Sequence, residues 1–162
     1  MRMICAAAAL ALSACSPGAS EGAAAQAASP AAETARHPES GLRIIPLTVT
    51  HDGKRQEFRV ELAQSRYEQA KGLMFRTAMG ADEGMLFPMD PPRPASFWMK
   101  NTVIPLDIIF IGSDRRILNI AANAVPYSEK NLDSDGLAAA VLELNGGRAA
   151  ELGIAPGDKV DW

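Results

Sequence analysis

The run Leu106 to Ile111, reading Leu-Asp-Ile-Ile-Phe-Ile, limits the fold of this 162-residue chain more than any other segment. A strand turns successive side chains to opposite faces, and here apolar residues fall on both. Such a strand is expected at the centre of a sheet, covered on each side. Pro105 cannot donate to a β ladder, so it sets up the start of the strand. Asp107 lies inside the run, and a carboxylate buried there without a partner would be costly.

The remaining pattern is also mostly β. Leu42 to Thr50 is strand-like, and Asp52-Gly53 is a hairpin signal within His51 to Lys54. Phe58, Val60 and Leu62 alternate with Arg59 and Glu61 as the return strand. Ser65 followed by Glu68 makes a capping box, which predicts a short helix from Arg66 to about Lys71 that Gly72 is suited to end. Met85 to Met89 reads as a strand, Asp90 to Pro94 as a proline-stiffened loop, and Ser96 to Asn101 as another strand. Ile117 to Val125, Ala138 to Leu144 and Asp158 to Trp162 supply further strands, with a helical turn at Gly147 to Leu152. No internal repeat is present.

The first residues suggest an address. Arg2 precedes a short apolar run, Ile4 to Leu12, which is roughly half the 20 or so residues needed to span a bilayer. It reads as a signal peptide over residues 1–14. Leu12-Ser13-Ala14-Cys15 looks like a bacterial lipobox, making Cys15 the expected site of lipid attachment and of anchorage to the membrane. Ser16 after the cysteine favours the outer membrane. Residues 15–41 are rich in Ala, Ser, Gly and Pro without apolar periodicity, and read as a disordered tether with a reach of roughly 25 to 30 Å. The domain proper is expected over residues 42–162.

That domain contains no cysteine, since the only two are Cys5 and Cys15. The histidines are His37 and His51 alone. Thiol chemistry and a zinc site of His and Cys are thereby disfavoured, as is a Ser-His-acid triad. Two of the 16 basic and three of the 19 acidic residues precede residue 42, leaving 14 against 16. No basic patch appears in the sequence, which argues against nucleic acid as a partner. No cofactor or metal is expected.

Five segments together resemble the domain of unknown function 192 family. They are Gly72-Leu73-Met74 with Arg76, Gly84 to Phe87, Phe97 to Thr102, Ile104 to Ile108, and Leu142-Glu143-Leu144. The resemblance spans roughly Val60 to Val160. It implies a single compact, barrel-like β domain with one or two short helices, and it implies no particular activity.

Candidate ligand-binding residues are Arg76, Trp98, Lys100, Asn101, Asp107 and Glu143. Asp107 either accepts backbone N–H groups of the Thr102 to Pro105 turn, pairs with Arg76, or acts on a ligand. Arg76 is either its anchor or a fork for an anionic ligand. If residues 97–102 are extended, Phe97, Met99 and Asn101 share one face while Trp98, Lys100 and Thr102 share the other. Either face could wall a small-molecule cleft, although Trp98 packed against core is the commoner arrangement. Glu143 could line the same cavity or pair with a cation. Met74, Met79, Met85, Met89 and Met99 fall within 26 residues. Thioethers bind Cu(I), but methionine also fills irregular cores, and packing is the preferred reading.

The expectation is a lipid-anchored, periplasm-facing binding or accessory module, with a small molecule or an envelope protein as partner. The alternatives are a metal-independent hydrolase or transferase using Asp107 with Arg76 or Lys100 and, less favoured, Cu(I) binding.

Overall fold

A computed structural model describes residues 35–162. Cys15 and the expected signal peptide lie outside the described residues, as does most of the tether. Seven strands and two short helices follow in the order β1 (Ile44–His51), β2 (Lys54–Leu62), α1 (Arg66–Lys71), β3 (Glu83–Phe97), β4 (Leu106–Gly112), β5 (Ile117–Ala124), β6 (Leu132–Asn145), α2 (Arg148–Leu152) and β7 (Lys159–Asp161). The fold is mostly β, as expected.

Among the described residues one sheet contains every strand, in the order β5-β4-β6-β3-β2-β1-β7. All neighbours are antiparallel except β2 and β3, whose parallel pairing requires the crossover that contains α1. The sheet curls until its two edges meet. Ile117 N–H donates to the Asp158 carbonyl at 2.9 Å and Val160 N–H to the Arg115 carbonyl at 2.8 Å, joining the start of β5 to the β7 side. Pairing these edge groups removes an open template for association at that corner.

Local signals account for the turns. Asp52 and Gly53 both have positive φ, 46° and 75°, as a two-residue hairpin that matches strand twist requires. In α1 the Ser65 hydroxyl accepts from Glu68 N–H at 3.2 Å, while the Glu68 carboxylate accepts from Ser65 N–H at 2.7 Å. The backbone N–H groups of Ser65 and Gln64, both donating to that carboxylate, hold the Glu68 pKa below its ordinary value.

Both faces of the sheet are buried. Inside the curl lie Leu47, Val49, Phe58, Val60, Ile109, Leu142 and Leu144. On the opposite face, Met85, Phe87, Ile108, Phe110 and Val141 form a second cluster with Leu73 and Met99 from the covering loops. Every residue of β4 is buried, which bears out the reading of its two apolar faces.

Four boundaries differ from expectation. β3 runs through Asp90–Pro94, because Arg93 and Pro94 still sit opposite Ala138 and Leu137 of β6 beyond a register break. For the same reason β6 begins at Leu132, six residues earlier than its apolar pattern suggests. The expected strand at 96–101 stops at Phe97, and Asn101 turns with φ 55°; the two-faced alternation argued for residues 97–102 does not form. Residues 35–43, expected to be mostly tether, instead make a small hairpin in which His37 N–H donates to Leu42 and Ile44 N–H to Ala35.

Candidate functional site

In β6, Leu142 and Leu144 face the inside of the curl, so the two-residue period turns Glu143 to the other face with Val141. There Glu143 sits opposite Met85 of β3 and Ile108 of β4. The strands approach closely at this point: a Cβ on Gly84 would lie 2.5 Å from the Glu143 carbonyl oxygen, so only glycine fits. Glu143 is 5% exposed. Burial alone pushes its carboxyl up to about 8 from an ordinary 4.5, with no charge or hydrogen bond offsetting it.

Above Glu143 opens a cleft of about 390 Å³. One wall is the end of α1 with the following Gly72–Met74 segment, and the other is the outer half of β3 with Phe97, Trp98 and Thr102. Gln69 ties these walls together, its amide donating to the Ala63 carbonyl at 3.2 Å and to the Pro88 carbonyl at 2.8 Å. Lys71 and Arg93, both exposed, stand on opposite walls. The volume and the mixed lining are those of a small-molecule site.

Of the six sequence candidates, Glu143 and Trp98 meet at this cleft. Trp98 is 46% exposed, and the Lys100 ammonium lies 5.1 Å from its ring centre and 3.8 Å from Glu129, beside the mouth. Asn101 stitches loops together: its carbonyl accepts from Phe75 N–H at 2.8 Å, and its side-chain amide lies 3.8 Å from the Met74 sulfur. Phe75, Asn101 and Tyr127 are all non-glycine residues with positive φ on these adjoining loops.

Arg76 and Asp107 stand elsewhere, and the expected pair between them is not made. Arg76 forks onto Glu61 of β2 at 2.9 and 3.2 Å, and its Nε lies 3.1 Å from Glu39. Ser40 also donates to Glu61. These contacts pin the 35–43 hairpin to the domain beside a smaller depression that adjoins the cleft at Lys71, Gly72 and Met74. Asp107, fully buried, accepts backbone N–H groups of Asn123 at 2.8 Å, Gly147 at 2.9 Å and Ala149 at 2.8 Å. Its donors are backbone groups, as one reading held, but they come from the end of β5 and the start of α2 rather than from the Thr102 to Pro105 turn.

Lys71 and Arg93 escaped the sequence reading. No local signal marks them, because β3 and α1 come together only through the crossover. The methionines divide between roles: Met85, Met89 and Met99 are buried in the second cluster, Met79 packs against it, and Met74 and Met89 also line the cleft. Among the described residues no group of three or more His, Cys, Asp or Glu side chains could hold a metal ion.

Residues 47–162 match the DUF192 family model, described as an uncharacterised ACR. A crystal structure of a protein of unknown function from Novosphingobium aromaticivorans DSM 12444 is similar, with 62% identity, a TM-score of 0.78, and coverage of 84% of this chain and 94% of that one. A second, from Sinorhizobium meliloti 1021, has 43% identity, a TM-score of 0.72, and coverage of 74% and 94%. That protein carries a provisional description as a transcription regulator. No curated protein matches the chain.

Proposed function

The chain belongs to the DUF192 family, and from that premise, which brings no activity with it, we propose that the domain is a binding module for a small organic molecule seated over Glu143. One observation carries this reading: Glu143 is a buried acid on the cleft floor, kept protonated near neutral pH, and among the described residues nothing hydrogen-bonds its carboxyl. That carboxyl opens into the cleft rather than being sealed in the core, since among the described residues the one fully buried side-chain polar atom without a partner is Arg148 Nε. A ligand entering the cleft can accept from the acid there, and an acid in a cleft with a strongly raised pKa is a functional-site candidate. The hydrolase alternative has less support, since Asp107 is enclosed by backbone donors and Arg76 is engaged by Glu61.

The module would be tethered through lipid on Cys15 and face the periplasm, with the outer membrane favoured by Ser16. It could present its ligand to an envelope protein. Nucleic acid is not part of this reading, because the sequence from residue 42 onward is nearly balanced in charge.

A thermal-shift screen of small organic molecules tests the proposal, since anything that binds the native state raises its melting temperature. Hits are expected to lose their effect in Glu143→Leu. Hits that stabilise this variant and the parent equally would place the binding site elsewhere.

A further inference from the structure

The charges around the cleft narrow the ligand further, given the binding reading above. Lys71 and Arg93 face the opening from α1 and β3, and among the described residues neither lies in an ion pair. Glu68, the acid nearest in sequence to Lys71, is occupied by the N–H groups of Gln64 and Ser65 at 2.9 and 2.7 Å. Among the described residues Glu143 is the one acid in the lining, and it is uncharged near neutral pH. The opening is therefore positive, the floor is a neutral donor, and the walls between them carry Leu73, Met74, Met89, Phe97 and Trp98.

We infer that the cleft takes an amphiphilic organic anion, with its charged end between Lys71 and Arg93, its apolar body against Phe97 and the methionines, and a neutral carbonyl or hydroxyl oxygen at Glu143. The charge belongs at the mouth because the two cations are there and water reaches it, whereas a charge on the floor would be desolvated. An amine would meet the two cations before reaching Glu143. Arg and Lys differ in how they hold an anion, Arg as a planar fork and Lys as a point charge, so a carboxylate or a phosphate monoester fits equally well.

Three probes on one skeleton test this inference: 4-acetylbenzoate, acetophenone and protonated 4-acetylbenzylamine, each titrated calorimetrically into the full chain in detergent at neutral pH. The benzoate is expected to bind about tenfold tighter than acetophenone, the scale of one charge-assisted contact, and the amine weakest. Lys71→Ala or Arg93→Ala should each remove most of that advantage, as should about 0.5 M salt, which screens an exposed pair. Both residues are exposed, so neither variant threatens the fold.

Tighter binding of the amine, abolished by Glu143→Gln, would overturn the anion inference while upholding the cleft as a binding site. Equal binding of all three probes would overturn it too, as would an anion preference that survives both alanine variants. If no probe binds while the library yields hits dependent on Glu143, the inference fails and the binding module stands. If both come up empty, the two fall together.

Discussion

Arg76 and Glu61 form a two-pronged ion pair, with guanidinium nitrogens 2.9 and 3.2 Å from the two carboxylate oxygens and both side chains almost fully buried. Removing one partner of such a pair leaves a buried charge uncompensated. Arg76→Met is therefore expected to cost about 3 to 5 kcal/mol in urea denaturation, with Glu61→Gln similar. The double variant should lose markedly less than the two singles combined. Additive losses would show that the pair is not a unit. Glu39 is 62% exposed, so its removal should cost about 1 kcal/mol or less.

Asp107 accepts from Asn123, Gly147 and Ala149 and so ties β4 to the end of β5 and the start of α2. In Asp107→Asn one acceptor oxygen becomes an N–H₂ group that faces a backbone donor. A loss of about 2 to 3 kcal/mol is expected, the scale of hydrogen bonds to a charged group. Because Asp107 and Arg76 do not touch, the cycle between them should be additive. A coupling energy above about 1 kcal/mol would contradict the geometry.

Sequence showed those parts of the fold that rest on contacts between near neighbours. The Asp52-Gly53 turn, the Ser65–Glu68 capping box and the burial of β4 on both faces were all legible. Asp107 was legible as a group in need of partners, but its donors are 16, 40 and 42 residues further along, at positions with no distinguishing side chain. The partner of Arg76 was misread because Glu61 looked like the solvent side of an alternating strand. In fact the crossover through α1 brings Arg76 back over that face and covers it. Glu143 was legible as a group that could line a cavity or pair with a cation, but which of these holds appears only once β3 and β4 are placed on either side of it. The arm formed by β3 and β6 around Arg93 was hidden because its prolines suggested a loop.

The five methionines are expected to behave as packing groups. Met85 and Met99 are buried among apolar neighbours, so Met85→Leu and Met99→Leu should each cost under about 1.5 kcal/mol. Cu(I) should give no saturable stabilisation. A stoichiometric Cu(I) site lost with either change would reverse this assignment.

The anchor is tested by Cys15→Ala, which should move the protein from the detergent phase to the aqueous phase of a membrane extraction. Mass spectrometry of the parent should find a lipid-modified Cys15 at the mature N-terminus. An unmodified N-terminus at another residue would rule the anchor out.

Glu143 gives the domain a pH dependence whose sign is fixed by its raised pKa. Between its ordinary 4.5 and about 8, the folded chain keeps a proton on this group that the unfolded chain has released. Raising pH across this interval therefore favours unfolding, by about 1.4 kcal/mol per pH unit from this group alone. The contribution is fully present below 4.5 and is lost as pH rises to about 8, above which both states are ionised and the slope ends. Glu143→Gln is neutral at every pH and should remove this slope, so the variant is expected to match the parent near pH 4 and exceed it in stability at alkaline pH. Urea denaturation of both proteins across the interval reads the difference directly. Parallel curves would mean that the acid is satisfied by a partner or by water and titrates normally, and the reading of the cleft floor as a protonated donor would fail with it. If the slope is found, a ligand that accepts from Glu143 should bind with falling affinity as pH rises through about 8, because the ionised carboxylate has no proton to donate.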